Sequence, residues 1–236
     1  MKPRITATTA VWNETLDALK AVSWVVLRAK LWALKRYADW RVGARWEEGR
    51  MYRESDSILL TFDDYASRRD LLRLLRVLDR SGVKAAFFMQ GDWAEDNPDL
   101  IELIQAEGHL LGNHTYSHPD LLLLEDEEVR EQIERGPGST WLRPPRGRYN
   151  DRIRRIAHDM GYRICYWTID SDDWKGVSVN YMMRKILSEL HPGAVILFHA
   201  HAYNTIEVLP RLIAEIRARG YKLCGADDGV VPELPA

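Results

Sequence analysis

Short apolar segments of strand type alternate with amphipathic segments of helix type from residue 56 onward. The predicted strands span 57–62, 83–89, 109–112, 162–169, 194–198 and 221–223. The predicted helices span 67–79, 97–108, 125–135, 151–160, 179–190 and 205–219. Helix signals support these limits, among them the capping Ser67, the Asn97-Pro98 start and the stop at Gly108. About seven strand-then-helix units in succession predict an α/β domain with a parallel sheet, most economically closed into a barrel.

Residues 1–53 differ from this pattern and form a predicted N-terminal segment that is helical, basic and rich in tryptophan. A helix is expected from about residue 11 to 38. Its apolar side would pack on the following domain, lie in a membrane interface through residues 11–46, or bind a partner protein. The α/β domain is predicted to span 54–225, and 226–236 to be an irregular tail. Five of the nine tryptophans lie in the N-terminal segment, at Trp12, Trp24, Trp32, Trp40 and Trp46.

The composition is that of a globular protein without a strong charge preference. Of 236 residues, 46% are hydrophobic and 29% charged, and the net charge is −2, so no general attraction to nucleic acid is expected. No segment approaches the roughly 20 apolar residues of a membrane-spanning helix, and no secretory signal order is seen. We therefore expect a cytoplasmic protein, one peripheral at the inner membrane face, or one already stripped of an export signal. Cys165 and Cys224 are expected to be core thiols rather than a disulfide.

The residues suited to catalysis follow predicted strands. Asp63 and Asp64 follow the first strand, His114 and His118 the third, and His199 the strand at 194–198. Because the carboxyl ends of parallel strands meet at one edge of a sheet, these side chains are expected to share one cleft. One Asp and two His make a three-ligand set for a borderline divalent cation and leave positions open for water and substrate. The second Asp is then free to act as a base beside the metal, which is the arrangement that a hydrolase needs.

Five motifs in this order resemble those of the polysaccharide deacetylase family, also called the NodB-homology or carbohydrate esterase family 4 proteins. They are Thr-Phe-Asp-Asp at 61–64, His-x-x-x-His at 114–118, Arg-Pro-Pro-x-Gly at 143–147, Asp-Ser-x-Asp-Trp at 170–174 and Leu-Phe-His at 197–199. The similarity runs from about residue 55 to 223, and the first fifty residues lie outside it. The resemblance implies that the barrel is the distorted (β/α)7 type of that family.

The resemblance also implies a role for each motif residue. Asp64, His114 and His118 would hold the metal, with Zn²⁺ the first expectation and Co²⁺, Ni²⁺ or Mn²⁺ the alternatives. Asp63 would be the general base and His199 the general acid. Supporting roles would fall to Arg143, which pairs with Asp63, to Asp173, which orients His199, to Trp174 and Leu197 in the acyl pocket, and to the amide of Arg146 as a donor to the oxyanion.

Two residues depart from the family pattern. Tyr65 follows the Asp pair where glycine is common, and its ring would narrow the cleft or contact substrate. Arg146 stands where an aromatic residue is usual and would favour an anionic or phosphorylated substrate if its side chain faces the cleft. Both are therefore predicted substrate-binding residues, and neither change removes a predicted ligand or proton-transfer residue.

Three functions are compatible with these residues. The first is a metal-dependent deacetylase that hydrolyses the N-acetyl amide of an amino sugar in a glycan, releasing acetate and an amine. The second keeps this chemistry and acts on a lipid-phosphate-linked formamido or acetamido sugar at the inner membrane face. The third is a catalytically silent glycan-binding module, which the retained Asp63 and His199 disfavour.

Overall fold

The computed structural model describes residues 57–223 of the chain. The strands are β1 (Ser57–Asp64), β2 (Ala86–Met89), β3 (Leu110–Asn113), β4 (Trp141–Leu142), β5 (Arg163–Ile164), β6 (Ile169–Asp170), β7 (Val195–His199) and β8 (Lys222–Leu223). The helices are α1 (Arg68–Arg80), α2 (Gly91–Asp96), α3 (Pro98–Ala106), α4 (Asp126–Glu134), α5 (Asp151–Asp159), α6 (Val179–Glu189) and α7 (Tyr203–Ala218). Short 3-10 turns occur at Leu121–Leu123, Pro145–Gly147 and Asp173–Lys175.

The described strands form one parallel sheet in the spatial order β5-β4-β3-β2-β1-β7-β6, with β8 pairing the start of β1. Alternate residues of β1 face opposite sides of this sheet, as the pleat requires. Leu60 and Phe62 pack in the core between the sheet and the helices, whereas Leu59 packs on the inner side. Thr61 and Asp63 therefore share the inner side with Leu59. The predicted α/β class with parallel strands in a barrel-like arrangement is confirmed.

Helix α1 illustrates how local sequence signals specify the helices. The hydroxyl of Ser67 accepts a hydrogen bond from the amide of Asp70 at 3.1 Å, which satisfies one of the free amides of the first turn. Its buried residues recur at the helical period and are Leu71, Leu74, Leu75 and Leu78. The predicted start of α3 at Asn97-Pro98 is also observed. The short α2 was not predicted, because six residues are too few for a clear helical period.

The predicted strand at 162–169 is two short strands, β5 and β6, joined by a kink. On the β5 side, the amide of Cys165 donates to the carbonyl of Leu142 on β4 at 2.8 Å. On the β6 side, the amide of Thr168 donates to the carbonyl of Val195 on β7 at 2.9 Å. Each half thus pairs with a different edge of the sheet. The kinked segment therefore connects β5 and β6, the strands at the two ends of the sheet order.

Several predictions concern parts of the chain outside residues 57–223. The N-terminal segment (1–53), Cys224 and the tail (226–236) lie outside the described residues, and the predictions about them stay predictions. Cys165 is a buried free thiol, as expected. Within the described residues, no helix has the length and apolar character needed to cross a membrane.

Candidate active site

The predicted catalytic residues converge at the carboxyl ends of neighbouring strands. Asp63 pairs with His199 in the register of β1 and β7, so the two lie side by side. Asp64 ends β1 opposite Met89, the last residue of β2. His114 directly follows β3, and its amide donates to the carbonyl of Met89 at 3.0 Å. The carboxyl end of the sheet therefore carries both carboxylates together with His114 and His199.

Left-handed backbone conformations cluster at the carboxyl end of the sheet. Within residues 57–223, five non-glycine residues have positive φ, and they are Asp64, Thr115, His118, Arg146 and Asp172. Neighbouring residues of a regular strand point to opposite faces, but the φ of 74° at Asp64 breaks this alternation. Both carboxylates can therefore reach one cleft. Such conformations cost about 1–3 kcal/mol each and are characteristic of functional sites.

Asp64, His114 and His118 form a three-residue ligand set. The Nε2 atoms of both histidines lie 3.4 Å from Oδ1 of Asp64, and one ligand atom from each residue lies within 4.8 Å of the others. Two ligand atoms at about 2.0–2.1 Å from a tetrahedral metal are about 3.3–3.4 Å apart, so the observed spacing fits one shared cation. A carboxylate with two imidazoles suits Zn²⁺ and other borderline divalent cations.

The hydrogen bonding of His114 favours a cation at this position. Its Nδ1 lies 2.7 Å from the carbonyl oxygen of Arg143. Because a carbonyl only accepts, Nδ1 carries the hydrogen and Nε2 of the neutral ring presents a lone pair to the Asp64 carboxylate. That contact is unfavourable unless a positive charge lies between the two atoms. Burial, and next the neighbouring His114, lower the pKa of His118 and so disfavour an extra proton there. The residues present therefore fit a metal ion.

Asp64 is held in its ionised form. Burial opposes its ionisation, but the contact with the adjacent imidazole of His114 and the positive charge of His199 hold its pKa well below the usual range. Gln90, directly after β2, donates its Nε2 hydrogen to Oδ1 of Asp64 at 3.2 Å. Gln90 was not among the predicted site residues, although a polar residue directly after an apolar strand is the same signal that identified the histidines.

Arg143 is fully buried and orients Asp63. Its Nη1 donates to Oδ1 of Asp63 at 2.6 Å and to the hydroxyl of Thr61 at 2.8 Å. Its Nε and Nη2 donate to the carbonyl of Cys165 at 3.4 Å, the sulfur of Cys165 at 3.1 Å and the carbonyl of Tyr166 at 3.3 Å. All five guanidinium donors thus have acceptors. Burial works against the charge, but Asp63 and Cys165 raise the pKa of Arg143, so the guanidinium stays charged.

A second buried carboxylate orients His199. Nδ1 of His199 lies 2.7 Å from Oδ1 of Asp173, and the amide of His199 donates to Oδ2 at 2.8 Å. The hydroxyl of Thr205 donates to the same Oδ2. Burial lowers the pKa of His199, but the hydrogen bond to Asp173 and the nearby carboxylate charges raise it to about 9. Nδ1 therefore carries a hydrogen, and Nε2 is the nitrogen left for proton transfer.

The other predicted substrate residues differ in exposure. Trp174, in the 3-10 turn after β6, is 56% exposed, whereas Leu197 in β7 is buried. Arg146 is exposed in the turn after β4. Besides burial and His114, Arg146 contributes to the lowered pKa of His118, so its charge acts on the ligand set.

Tyr65 lies against a histidine that had no predicted role. The Tyr65 side chain is 49% exposed, and its ring stacks on His201 with centroids 5.2 Å apart and an interplanar angle of 16°. Nδ1 of His201 lies 3.7 Å from Oδ2 of Asp64. A histidine two residues beyond His199 has an ordinary explanation at a surface turn, so only the fold reveals its place in the site.

Sequence comparisons agree with the resemblance. The polysaccharide deacetylase family model matches residues 51–165. The peptidoglycan-N-acetylglucosamine deacetylase of Bacillus cereus is 34% identical over 69% of this chain and 64% of its own, so this chain spans less than two thirds of that relative. The peptidoglycan-N-acetylmuramic acid deacetylase PdaA of Bacillus subtilis is 31% identical over 73% of this chain and 70% of its own.

Solved structures agree as well. A wild-type carbohydrate esterase family 4 pseudoenzyme from Bacillus anthracis matches with a TM-score of 0.71 and 28% identity, over 75% of this chain and 66% of that chain. A mutant of that protein with restored enzymatic activity matches with a TM-score of 0.71 and 30% identity, over 75% of this chain and 68% of that chain. The chain belongs to the polysaccharide deacetylase family, which is carbohydrate esterase family 4.

Proposed function

We propose that this protein is a metal-dependent N-deacetylase that hydrolyses the acetamido group of an amino sugar in a glycan. The observation that carries the proposal is the pair Asp63 and His199, which lie side by side next to the ligand set, each oriented by a buried partner. The names of both Bacillus relatives describe deacetylation of peptidoglycan amino sugars. We therefore propose an N-acetylated glycan of peptidoglycan type as the substrate.

Asp64, His114 and His118 would hold the cation, which we propose to be Zn²⁺. When bound, a divalent cation supplies Lewis acidity, which polarises an amide carbonyl and lowers the pKa of water from ~15.7 towards ~7. Three protein ligands, rather than four, are the number found in catalytic zinc sites.

Asp63 acts as the general base through Oδ2. Its Oδ1 is occupied by Nη1 of Arg143 at 2.6 Å, whereas Oδ2 lies 3.8 Å from Nε2 of His114. The oxygen that Arg143 leaves free is thus the one nearest to the candidate ligands, where the attacking water would lose its proton. Because the donors of Arg143 are all satisfied in the core, the carboxylate is kept in this orientation.

His199 protonates the leaving amine. Its Nδ1 hydrogen is bound by Asp173, so the proton on Nε2 is the one that can be transferred. In the metal-free protein, burial lowers the pKa of His199, but the hydrogen bond to Asp173 and the nearby carboxylate charges together outweigh it and favour the imidazolium at neutral pH. An amine leaves readily only after protonation, so this form of His199 matches the need of amide hydrolysis.

The turn after β4 would support the oxyanion. The amides of Gly147 and Arg148 donate to the carbonyls of Pro144 and Pro145, both at 3.0 Å. The amide of Arg146 is the donor that we propose for the developing oxyanion. Trp174 and Leu197 are proposed to line the pocket for the acetyl group.

A second candidate keeps the chemistry and changes the substrate to a lipid-phosphate-linked formamido or acetamido sugar. The exposed guanidinium of Arg146, whose charge acts on His118, supports it because a guanidinium pairs well with phosphate. It would also draw on peripheral membrane contact through residues 11–46, which stays a prediction.

A third candidate is an inactive glycan-binding module, since one structural relative is a pseudoenzyme. The complete Asp63–Arg143 and His199–Asp173 pairs argue against it.

The test is a screen for acetate and formate release with peptidoglycan fragments, oligo-N-acetylglucosamine and lipid-linked amino sugars. We expect acetate and an equal amount of free amine, and no product from Asp63→Asn. Elemental analysis should find the metal content of Asp63→Asn unchanged, because Asp63 is not a ligand. Asp159→Asn, an exposed carboxylate on α5, is the matched control and should keep full activity. Glycan binding without any turnover in added Zn²⁺ or Co²⁺ would refute the deacetylase proposal, and activity in Asp63→Asn would refute the base assignment.

A further inference from the structure

The backbone segments that carry the stacked rings of Tyr65 and His201 are both held by hydrogen bonds. Two backbone hydrogen bonds connect the turn that carries His201 to Asp63 and His199, the proposed base and acid. The amide of Ala200 donates to the carbonyl of Asp63 at 2.9 Å, and the amide of Ala202 donates to the carbonyl of His199 at 3.1 Å. The backbone of the turn on both sides of His201 is therefore held in place beside Asp63 and His199.

The loop that carries Tyr65 is equally short and anchored. Tyr65 follows β1 directly, and Ser67 already caps α1. Between them, the carbonyl of Ala66 accepts a hydrogen bond from Nε1 of Trp93 at 3.0 Å. Because the residues on both sides of Tyr65 are constrained, its backbone has little freedom. A ligand that binds the Tyr65 ring therefore loses less conformational entropy by ordering this loop.

The stack adjoins both halves of the proposed reaction centre. Nδ1 of His201 lies 3.7 Å from Oδ2 of Asp64, the candidate ligand. The rings of His199 and His201 meet edge to face with centroids 5.7 Å apart. About half of the Tyr65 side chain stays open to solvent, at 49% exposure. An exposed aromatic surface therefore lies directly beside the place where an acylated sugar would react.

We propose that Tyr65, backed by His201, is a platform on which a pyranose ring of the glycan stacks during deacetylation. This inference rests on the proposed function and names a specificity determinant for it. The C–H groups of a pyranose face carry partial positive charge, and an aromatic face attracts such groups while burying apolar surface. Family members commonly have glycine at this position, and glycine offers no ring. The platform therefore makes this chain prefer substrates with a sugar ring beside the scissile amide.

The first test measures binding apart from turnover. In an Asp63→Asn background, calorimetry with the N-acetylglucosamine tetramer should give a Kd about tenfold weaker for Tyr65→Ala. Tyr65→Phe keeps the ring and should stay within about twofold of the background protein. Tyr203→Ala removes another exposed tyrosine, which lines a separate groove with Arg73 and Arg76, and is the matched control. It should leave the Kd unchanged.

The second test asks whether the two rings act as a unit. With the active chain, Tyr65→Ala should raise KM for the tetramer about tenfold and change kcat much less, because stacking contributes to binding rather than to proton transfer. His201→Ala should raise KM about threefold by releasing the ring. The double variant should resemble Tyr65→Ala alone, because His201 acts only through Tyr65. Additive effects of the two substitutions would overturn the shared platform.

The outcomes separate this inference from the proposed function. If the wild type releases acetate and binds the tetramer, and Tyr65→Ala matches it in both KM and Kd, the platform is refuted while the deacetylase stands. If the wild type binds the tetramer without turnover and Tyr65→Ala binds it about tenfold more weakly, the platform stands and the proposed function is refuted. Tm values of all variants are measured first, and Tyr65→Leu replaces Tyr65→Ala if the alanine variant unfolds.

Discussion

The Asp173–His199 pair makes the stability of the metal-free protein depend on pH, and Asp173→Asn tests this dependence. Asp173 is 3% exposed and accepts hydrogen bonds from the ring and amide of His199 and from the hydroxyl of Thr205. Asparagine has the same shape, but it has no charge and only one acceptor oxygen. The substitution therefore removes the carboxylate that raises the pKa of His199 while keeping the side-chain volume.

The magnitude follows from the pKa of His199, which is about 9 in the folded protein. An unperturbed histidine has a pKa of about 6.5, and the difference corresponds to about 3 kcal/mol of folding free energy. Because the folded-state pKa is the higher one, this stabilisation is complete below about pH 6.5. It is lost as the pH rises through about 9, where the folded state gives up its extra proton.

The assay is urea unfolding of EDTA-treated wild type and Asp173→Asn at about pH 6 and about pH 10. The free energy of unfolding of the wild type minus that of the variant is compared at the two pH values. This difference should be about 2–3 kcal/mol larger at about pH 6 than at about pH 10. An NMR titration should find the pKa of His199 moved from about 9 towards about 6.5 in the variant. Asp159→Asn, the exposed control, should follow the wild type at both pH values. Equal wild-type–variant differences at the two pH values would refute the reasoning.

Three further predictions address other parts of the site and core. Arg143→Met should lower the free energy of unfolding by about 3–5 kcal/mol, because Asp63 loses its buried partner; urea unfolding measures this, and Asp63→Asn in the same chain should recover part of the loss. His114→Ala and His118→Ala should each abolish stoichiometric zinc and the rise in Tm on adding it, whereas full zinc content by elemental analysis would contradict the ligand set. Burial, and next Lys84, lowers the pKa of His109 to about 4. Between about pH 6.5 and 4 the unfolded state therefore binds a proton that the folded state does not, and the free energy of unfolding falls as the pH falls. His109→Gln should flatten acid unfolding over that interval, and an unchanged curve would contradict this.

Local patterns predicted most of the helices and strands because the signals lie within a few residues of each other. The Ser67 cap and the Asn97-Pro98 start are examples. The kink between β5 and β6 was not predictable in this way. It exists because one half of the segment pairs with β4 and the other with β7, and neither partner is close in sequence.

The same distinction applies to the site. The motif residues could be assigned to one cleft, because parallel strands bring their carboxyl ends together. Gln90, Thr205 and His201 were given no role, since each acts through contacts that only the fold creates. A polar residue after a strand or in a turn is too common to be singled out without that contact.

The sequence alone determined the types of reactive groups and their order along the chain, because motif spacing and strand periodicity are local properties. Only the tertiary structure decided how those groups are aimed. Arg143 lies 80 positions from Asp63 and leaves one carboxylate oxygen free, and Asp173 lies 26 positions from His199 and leaves Nε2 free. Hydrogen-bond partners so distant in sequence meet only through strand register and packing, so the choice of reactive atom belongs to the fold.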